Sequence, residues 1–391
     1  MINVFQPTLA DEELAAVAEV FKSNWIGRGR RTADFEAAFA DHLGVGHNRV
    51  TSVNSCTEAL FIATRLAGAG PGGEVVLPTV SFVGAGNAVA AHGARPVFCD
   101  VDPRTLNPTV DDVAAALTPK TKAVILLHYG GYPGEVVEIA ALCRDRGILL
   151  IEDAACSVAS RVDGQACGVI GDLGVWSFGS TKIVATGDGG MLSARDPELV
   201  AQAAKLAYFG LEQFSGFSQA KENNTRWWDF QISSFSRRSI MNDIQSAIGV
   251  VQMGRLKGFV ERRGEIVSRY DRALADLTGV VTPPPLPRGH TSSHYLYWVQ
   301  MDEGIRDDVA RDLYERGIYT TFRYAALHRV KAYGSDARLP GAEAAVARTL
   351  CLPLHQALSD DDVDTTVAAL REVVTRRSAA PGSASAAGSA G

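Results

Sequence analysis

Short apolar runs alternate with amphipathic stretches over residues 50–195, a pattern that predicts strands and helices in alternation. Helical stretches such as Thr57 to Leu66 and Gly134 to Arg146 lie between the apolar runs. Continuously apolar strands are typical of a mostly parallel sheet that is covered on both faces. The predicted strands are Val75 to Leu77, Pro96 to Cys99, Ala123 to Leu127, Ile148 to Ile151, Val175 to Phe178 and Gly190 to Ser193.

The rest of the chain begins with one long helical stretch, roughly Met241 to Ala273, and continues as a smaller α/β region. We therefore predict an α/β protein with a large domain (residues 1–250, including an N-terminal segment) and a small C-terminal domain (251–376). The tail 377–391, rich in Ser, Ala and Gly, is expected to be disordered. The small domain's predicted elements are strand Tyr295 to Val299, helix Ile305 to Arg316, strand Tyr319 to Phe322 and a helix near Asp360 to Thr375.

Composition narrows the range of partners. The 391 residues are 46% hydrophobic and 21% charged, with a formal net charge of −6, as in an ordinary globular protein. The mildly acidic balance argues against nucleic acid or an anionic membrane as partner, and no apolar stretch approaches the roughly 18 residues of a membrane span. The N-terminus lacks a signal sequence, and six scattered cysteines without metal-binding spacing favour reduced thiols, so we expect a cytoplasmic protein without a bound metal.

One lysine and one aspartate are the main candidates for catalytic and cofactor-binding residues. Asp153 closes the apolar run Ile148 to Ile151, and Lys182 lies just past the next one. In open α/β sheets, ligands bind beyond the carboxyl ends of the strands, where both residues fall. A pyridoxal phosphate enzyme needs this pair: the lysine forms a Schiff base with the cofactor, and the aspartate keeps the pyridine nitrogen protonated.

Other nearby residues fit the same cofactor, and each also has a plainer interpretation. Ser55, Cys56 and Thr57 open a helix, where free amides favour an anion such as a phosphate, although a simple helix cap would look the same. Ser177 is a second candidate phosphate donor. Phe82 could stack on a flat ring or belong to the core. A catalytic thiol is the alternative for the cysteine three residues after Asp153, but no histidine lies near it in sequence.

The chain resembles the nucleotide-sugar aminotransferases of the DegT/StrS family, from about residue 6 to residue 370. The resemblance implies the seven-stranded sheet of pyridoxal phosphate fold type I. The motifs that carry it are Trp25-Ile26-Gly27, Phe35-Glu36, Asn54-Ser55-Cys56-Thr57-Glu58-Ala59-Leu60, Pro78-Thr79-Val80-Ser81-Phe82-Val83, His128-Tyr129-Gly130, Glu152-Asp153-Ala154-Ala155, Ser177-Phe178 with Lys182, Gly187-Asp188-Gly189-Gly190, Met241-Asn242-Asp243-Ile244-Gln245-Ser246-Ala247, Leu327-His328 and Leu352-Pro353-Leu354.

This resemblance implies a ping-pong Schiff-base reaction in which L-glutamate leaves its amine on the cofactor as pyridoxamine phosphate. The amine then passes to a ketosugar linked to a nucleotide diphosphate. Lys182 would be the Schiff-base lysine, whose pKa we expect to be lowered by burial and the cationic ring. Asp153 would hold the ring nitrogen, and Phe82 would stack on the ring. The resemblance also implies a homodimer, in which Arg238 would reach the neighbour's cofactor. The phosphate would be bound by the backbone of Cys56 and Thr57, in the segment that Ser55 begins, and by the Ser177 hydroxyl.

The sequence departs from the family at three places. Cys156 stands where glutamine or histidine often contacts the ring 3-hydroxyl, and a thiol is a weak donor. Cys56 replaces a glycine of the phosphate segment. Arg238 stands where the family often has asparagine, so it could bind phosphate or diphosphate, or it could be a surface arginine.

The ketosugar is predicted less directly than the cofactor. The segments Trp227-Trp228-Asp229 through Met241 and Leu127 to Gly131 look closest to members that aminate C4 of TDP-4-keto-6-deoxyhexoses. Alternatives are a C3 ketosugar, a cyclitol ketone (an inosose), or a non-catalytic regulator that binds the same cofactor. Basic residues at the pocket mouth, such as Arg28, Arg30 or Arg238, would favour the nucleotide sugar. Abundant Ala, Gly and Arg indicate a GC-rich genome, and with the resemblance this favours deoxysugar biosynthesis for a secondary metabolite such as an antibiotic.

Overall fold

A seven-stranded sheet organises the computed structural model, which describes residues 1–212 and 228–379. The sheet runs in the order β1-β9-β8-β5-β4-β2-β3, and only β9 is antiparallel to its neighbours. The predicted mostly parallel sheet is therefore confirmed. The strands are β1 (Val50–Val53), β2 (Glu74–Pro78), β3 (Arg95–Cys99), β4 (Thr121–Leu127), β5 (Leu149–Asp153), β6 (Arg161–Val162), β7 (Gln165–Ala166), β8 (Leu173–Ser177) and β9 (Gly190–Ala194), of which β6 and β7 pair outside this sheet.

Helices cover both faces of the sheet because its strands are apolar at successive positions. Val75 and Leu77 of β2 belong to one buried cluster, and Val76 between them belongs to another, as the two-residue period of a strand requires. The helices of this part are α1 (Asp11–Lys22), α2 (Arg30–Leu43), α3 (Cys56–Leu66), α4 (Val83–Ala91), α5 (Val110–Ala116), α6 (Val136–Asp145) and α7 (Pro197–Leu206).

The long predicted helix is α8 (Asp243–Leu274), which packs against α1 and α2 and then against the last helix. A third buried cluster surrounds an antiparallel strand pair in the C-terminal part. The predicted division at residue 250 falls within α8, and the two-domain organisation stays a prediction. The remaining elements are β10 (His290–Thr291), β11 (Tyr297–Gln300), α9 (Glu303–Glu315), α10 (Pro340–Arg348), β12 (Thr349–Leu352) and α11 (Asp360–Ala379).

Two details of the C-terminal part differ from the prediction. The prediction of a strand at Tyr319 to Phe322 is wrong. In this segment Thr321 makes only a single bridge, to Cys351, and the strand that pairs with β11 is β12. Helix α11 continues past the predicted start of the disordered tail, since Arg377 lies in the helix and forms an ion pair with Asp312. Residues 380–391 of that tail lie outside the described residues. Within the described ranges, no helix is both long and apolar enough to cross a membrane.

Candidate active site

The carboxyl ends of two parallel neighbours, β5 and β8, bring the predicted lysine and aspartate together. Asp153 ends β5, Ser177 ends β8, and Lys182 follows in a turn where its N–H donates to the carbonyl of Gly179 (2.9 Å). These side chains line a cavity of about 360 Å³. Seven of the predicted site residues line it: Ser55, Cys56, Thr57, Phe82, Asp153, Ser177 and Lys182.

Asp153 is a buried carboxylate whose hydrogen bonds are incomplete. Among the described residues, its side chain accepts a hydrogen bond only from the Ala155 N–H (3.1 Å). Burial raises the pKa of Asp153, although that hydrogen bond, Lys182 and His128 oppose the rise. A carboxylate in this setting is stabilised by a cation placed in the cavity, so it fits a protonated ring nitrogen.

The predicted phosphate-binding segment, Ser55 to Thr57, begins helix α3 and lies beside the first residue of β9. Ser55 caps α3, and its hydroxyl accepts a hydrogen bond from the Glu58 N–H (3.2 Å). A Cβ atom at Gly190 would lie 2.6 Å from the backbone nitrogen of Cys56, so a larger residue there would displace the loop. The first amides of a helix have no partner within it, and Cys56 and Thr57 line the cavity. The segment is therefore both a helix cap and a fitting cradle for a phosphate.

Phe82 is not a core residue. It precedes α4 at the cavity wall and is 48% exposed, with its ring 5.7 Å from that of Tyr324. An exposed ring face beside the cavity suits stacking on a flat cofactor, which is the role that the resemblance implies.

The amine of Lys182 lies among aromatic and thiol groups. Its Nζ is 4.5 Å from the centroid of the Tyr295 ring and 4.0 Å from Sγ of Cys156. Burial lowers the pKa of Lys182, but Cys156, Tyr295 and Tyr324 outweigh this effect and raise the pKa well above its ordinary value. The predicted lowering included the cationic ring and therefore concerns the complex with the cofactor, not the chain without it. It stays a prediction for the complex, where the ring adds positive charge.

The structure gives Cys156 little nucleophilic character. Its thiol is buried, and burial raises its pKa, so the sulfur is protonated near neutral pH. Its other close neighbour is the Tyr324 hydroxyl, 4.0 Å away. The catalytic-thiol alternative is therefore disfavoured.

The predicted arginines do not line the described wall of this cavity. Arg238 is exposed, with its guanidinium 6.0 Å from the Tyr208 ring centroid, and Arg28 is paired with Glu36 (2.8 Å). Arg30 begins α2 on the surface. A contact between Arg238 and a partner's cofactor stays a prediction.

Sequence reasoning missed Arg323 and Tyr324, which do line the cavity. Their only signal in the sequence was their position, three to four residues before the motif Leu327-His328. Tyr295 was also missed as a neighbour of Lys182, because it was assigned to a predicted strand. Long-range packing brings all three to the site.

A lysine and a buried aspartate at the carboxyl edge of a seven-stranded sheet, beside a phosphate cradle, fit an enzyme that uses pyridoxal phosphate. The model of the DegT/DnrJ/EryC1/StrS aminotransferase family matches residues 7–371, so the chain belongs to that family. The chain is therefore a sugar aminotransferase that uses pyridoxal phosphate.

Several relatives have names that describe their activity. The chain is 59% identical to dTDP-4-dehydro-2,3,6-trideoxy-D-glucose 4-aminotransferase of Saccharopolyspora spinosa, over 93% of this chain and 94% of that protein. It is 35% identical to GDP-perosamine synthase of Caulobacter vibrioides, over 95% and 98%. Among solved structures, the aminotransferase TlmJ of Streptoalloteichus hindustanus superposes with a TM-score of 0.93 at 61% identity, covering 96% of this chain and all of that one.

Proposed function

We propose that this enzyme transfers the amino group of L-glutamate to C4 of a TDP-4-keto-6-deoxyhexose. The shared cavity of Lys182 and Asp153 is the observation that supports the transamination. The Saccharopolyspora relative, at 59% identity over nearly the whole chain, supports the carbon and the nucleotide. Deoxysugar biosynthesis for an antibiotic or similar metabolite is the corresponding proposed context.

Each site residue has a proposed task. When bound, pyridoxal phosphate supplies an electron-accepting ring that carries the amino group between the two substrates. Lys182 would hold the cofactor through its aldehyde and, when its amine is free, would move a proton at its Nζ to and from the reacting carbon. Asp153 would hold the proton of the ring nitrogen. The remaining predicted residues bind the cofactor: the Ser55, Cys56 and Thr57 segment and Ser177 at the phosphate, Phe82 and Cys156 at the ring.

We also infer a homodimer in which Arg238 completes the partner's site. Large apolar side chains are exposed close to it in sequence, with Phe230 69% and Phe235 92% exposed, and such patches mark interfaces. Of the stretch 227–241 used to favour C4, Trp227 lies outside the described residues. All six cysteines are described and are not in disulfides, which supports a reducing compartment such as the cytoplasm.

The decisive assay supplies ¹⁵N-labelled glutamate with three acceptors: a TDP-4-ketosugar, a TDP-3-ketosugar and an inosose. We expect labelled nitrogen at C4 of the first acceptor by NMR. Transfer mainly to C3 or to the inosose would replace the proposed substrate, and no transfer from glutamate by cofactor-loaded protein would favour the non-catalytic regulator. Lys182→Ala should abolish the transfer, whereas Lys257→Ala, at an exposed lysine of α8, should not.

The shared site has its own test. Lys182→Ala and Arg238→Ala chains are each expected to be inactive or nearly so, and are mixed under conditions that exchange subunits. A site shared between subunits predicts that a randomly exchanged 1:1 mixture recovers about a quarter of the wild-type activity, because half of its dimers are mixed and one of the two sites in each mixed dimer is intact. No recovery in verified mixed dimers would place Arg238 outside the partner's site.

A further inference from the structure

Tyr295 lies against the lysine amine and is held firmly in place. Its side chain is completely buried two residues before β11, and its backbone N–H donates to the Gly130 carbonyl (3.0 Å). The buried guanidinium of Arg263 donates to the Tyr295 carbonyl (3.4 Å). These hydrogen bonds fix the backbone of Tyr295, and complete burial confines its ring beside Lys182.

Three side chains follow the Lys182 amine in a stack in which cations and aromatic rings are neighbours. Lys182 Nζ lies 4.5 Å from the Tyr295 ring centroid, and the Tyr295 ring stacks on Phe5 with centroids 5.5 Å apart. The Arg323 guanidinium lies 4.3 Å from the Phe5 centroid. A ring face within about 6 Å of a cation attracts it, so both aromatic rings favour positive charge at their neighbours.

The hydroxyl of Tyr295 adds a second observation. It is buried and, among the described residues, has no hydrogen-bond partner. Buried hydroxyls normally have a hydrogen-bond partner. A hydrogen bond to another described residue therefore does not explain why a tyrosine lies at this position. The Tyr295 ring does contact the amine of Lys182, which is the one lysine among the described residues that lines the cavity.

We propose that Tyr295 is a positioning residue that holds the amine of Lys182 beside the cavity whenever that amine is not bonded to the cofactor. This inference rests on the proposed role of Lys182, because transamination releases the amine in every half-reaction. The released amine accepts a proton, and the ring face stabilises the resulting ammonium. Tyr295 thereby keeps the proton carrier within reach of the reacting carbon instead of letting it rotate away.

The test uses cofactor-free protein and needs no substrate. Competitive acetylation at a series of pH values, followed by peptide mass spectrometry, measures the pKa of Lys182. The other titratable groups around the amine, Cys56, Asp153, Cys156 and Tyr324, are the same in every variant. Tyr295→Leu is expected to lower this pKa by about one unit, and Tyr295→Phe by less than about 0.3.

Two further proteins separate the ring from general packing. Phe5→Leu loosens the stack without touching the amine, so it should leave the pKa of Lys182 near that of the wild type. Pentafluorophenylalanine at position 295 keeps the ring's shape but removes its negative face, so the pKa should fall below that of Tyr295→Phe even if Tyr295→Leu does not fold. An equal pKa in the phenylalanine and fluorinated proteins would overturn the proposal, as would an equally large fall in Phe5→Leu.

The catalytic consequence is a separate readout. Tyr295→Leu should reduce kcat about tenfold with little change in the KM for glutamate. Tyr295→Phe, which keeps the ring, should have a kcat close to that of the wild type. A failed proposed function, meaning the wrong ketosugar or carbon, would leave the acetylation results unchanged. Failure of the present inference would appear in the acetylation series whichever ketosugar or carbon is used.

Discussion

Glu152 and Asp153 are consecutive buried carboxylates at the end of β5, and their surroundings differ sharply. Asp153 faces the cavity and, in the described part of the chain, accepts one hydrogen bond. Glu152 pairs with the buried His128 (2.8 Å). It also accepts three backbone hydrogen bonds of 2.6 to 2.7 Å, from the N–H groups of Gly168, Ile170 and Gly171.

The alternation of side chains along a strand places the two carboxylates on opposite faces of the sheet. The carboxylate of Glu152 is fully hydrogen-bonded within the protein. It therefore holds the loop between β7 and β8 against the sheet and is not available to bind a ligand. Asp153 is buried without full pairing, which costs free energy unless a ligand completes it. Incomplete pairing, rather than charge or burial, therefore distinguishes the candidate catalytic carboxylate from its structural neighbour.

The largest expected effect is on catalysis by Asp153→Asn. An amide cannot hold the proton of the ring nitrogen, so we expect the glutamate half-reaction to slow by about a thousandfold. Single-turnover absorbance of the bound cofactor measures this rate. Asp145→Asn, at an exposed residue ending α6, is the matched control and should react at the wild-type rate. A near-normal rate in Asp153→Asn would remove the proposed role of this aspartate.

Glu152→Gln should act on stability. Its amide would present N–H groups to backbone donors and leave His128 without its carboxylate, so we expect a loss of about 3 kcal/mol in the free energy of unfolding. Urea denaturation of the cofactor-free protein gives this value. If Asp153→Asn lost as much stability as Glu152→Gln, the distinction between the two carboxylates would fail.

The pH dependence of the free energy of unfolding tests whether Asp153 is the incompletely hydrogen-bonded carboxylate of the two. Because the folded chain raises the pKa of Asp153, its ionisation destabilises the cofactor-free protein. That penalty is absent below the ordinary carboxylate pKa of about 4, grows as the pH rises through the raised folded value, and then stays constant. The stability of Asp153→Asn relative to wild type should therefore increase with pH in this window. Urea midpoints at several pH values would measure it, and a difference that falls with rising pH would contradict the raised pKa.

The smallest effect is expected at Cys156, which also lies close to Lys182. Because burial keeps the thiol protonated, Cys156→Ser should retain turnover within about threefold of wild type. Steady-state assays with glutamate test this expectation. Near-complete loss of turnover in a folded, cofactor-loaded variant would restore the thiol as a candidate catalytic group.

Much of the site was predictable because its parts lie at the ends of strongly patterned strands. The apolar runs before Asp153 and Lys182 define β5 and β8, and parallel strands place their carboxyl ends at one edge. The phosphate segment was predictable for the same local reason, since small hydroxyl residues such as Ser55 start helices. These inferences need only neighbouring residues and the geometry of a parallel sheet.

Hydrophobic periodicity and chain order are local properties, so they were enough to predict the sheet, its covering helices and the lysine–aspartate pair. Tertiary packing set the pairing of β11 with β12 rather than with the segment 319–322, and the ion pair of Arg28 with Glu36. It alone brought Tyr295 and Tyr324 from distant parts of the chain to Lys182. Such contacts depend on how separate elements pack, and no local pattern of residues encodes which distant side chains will meet.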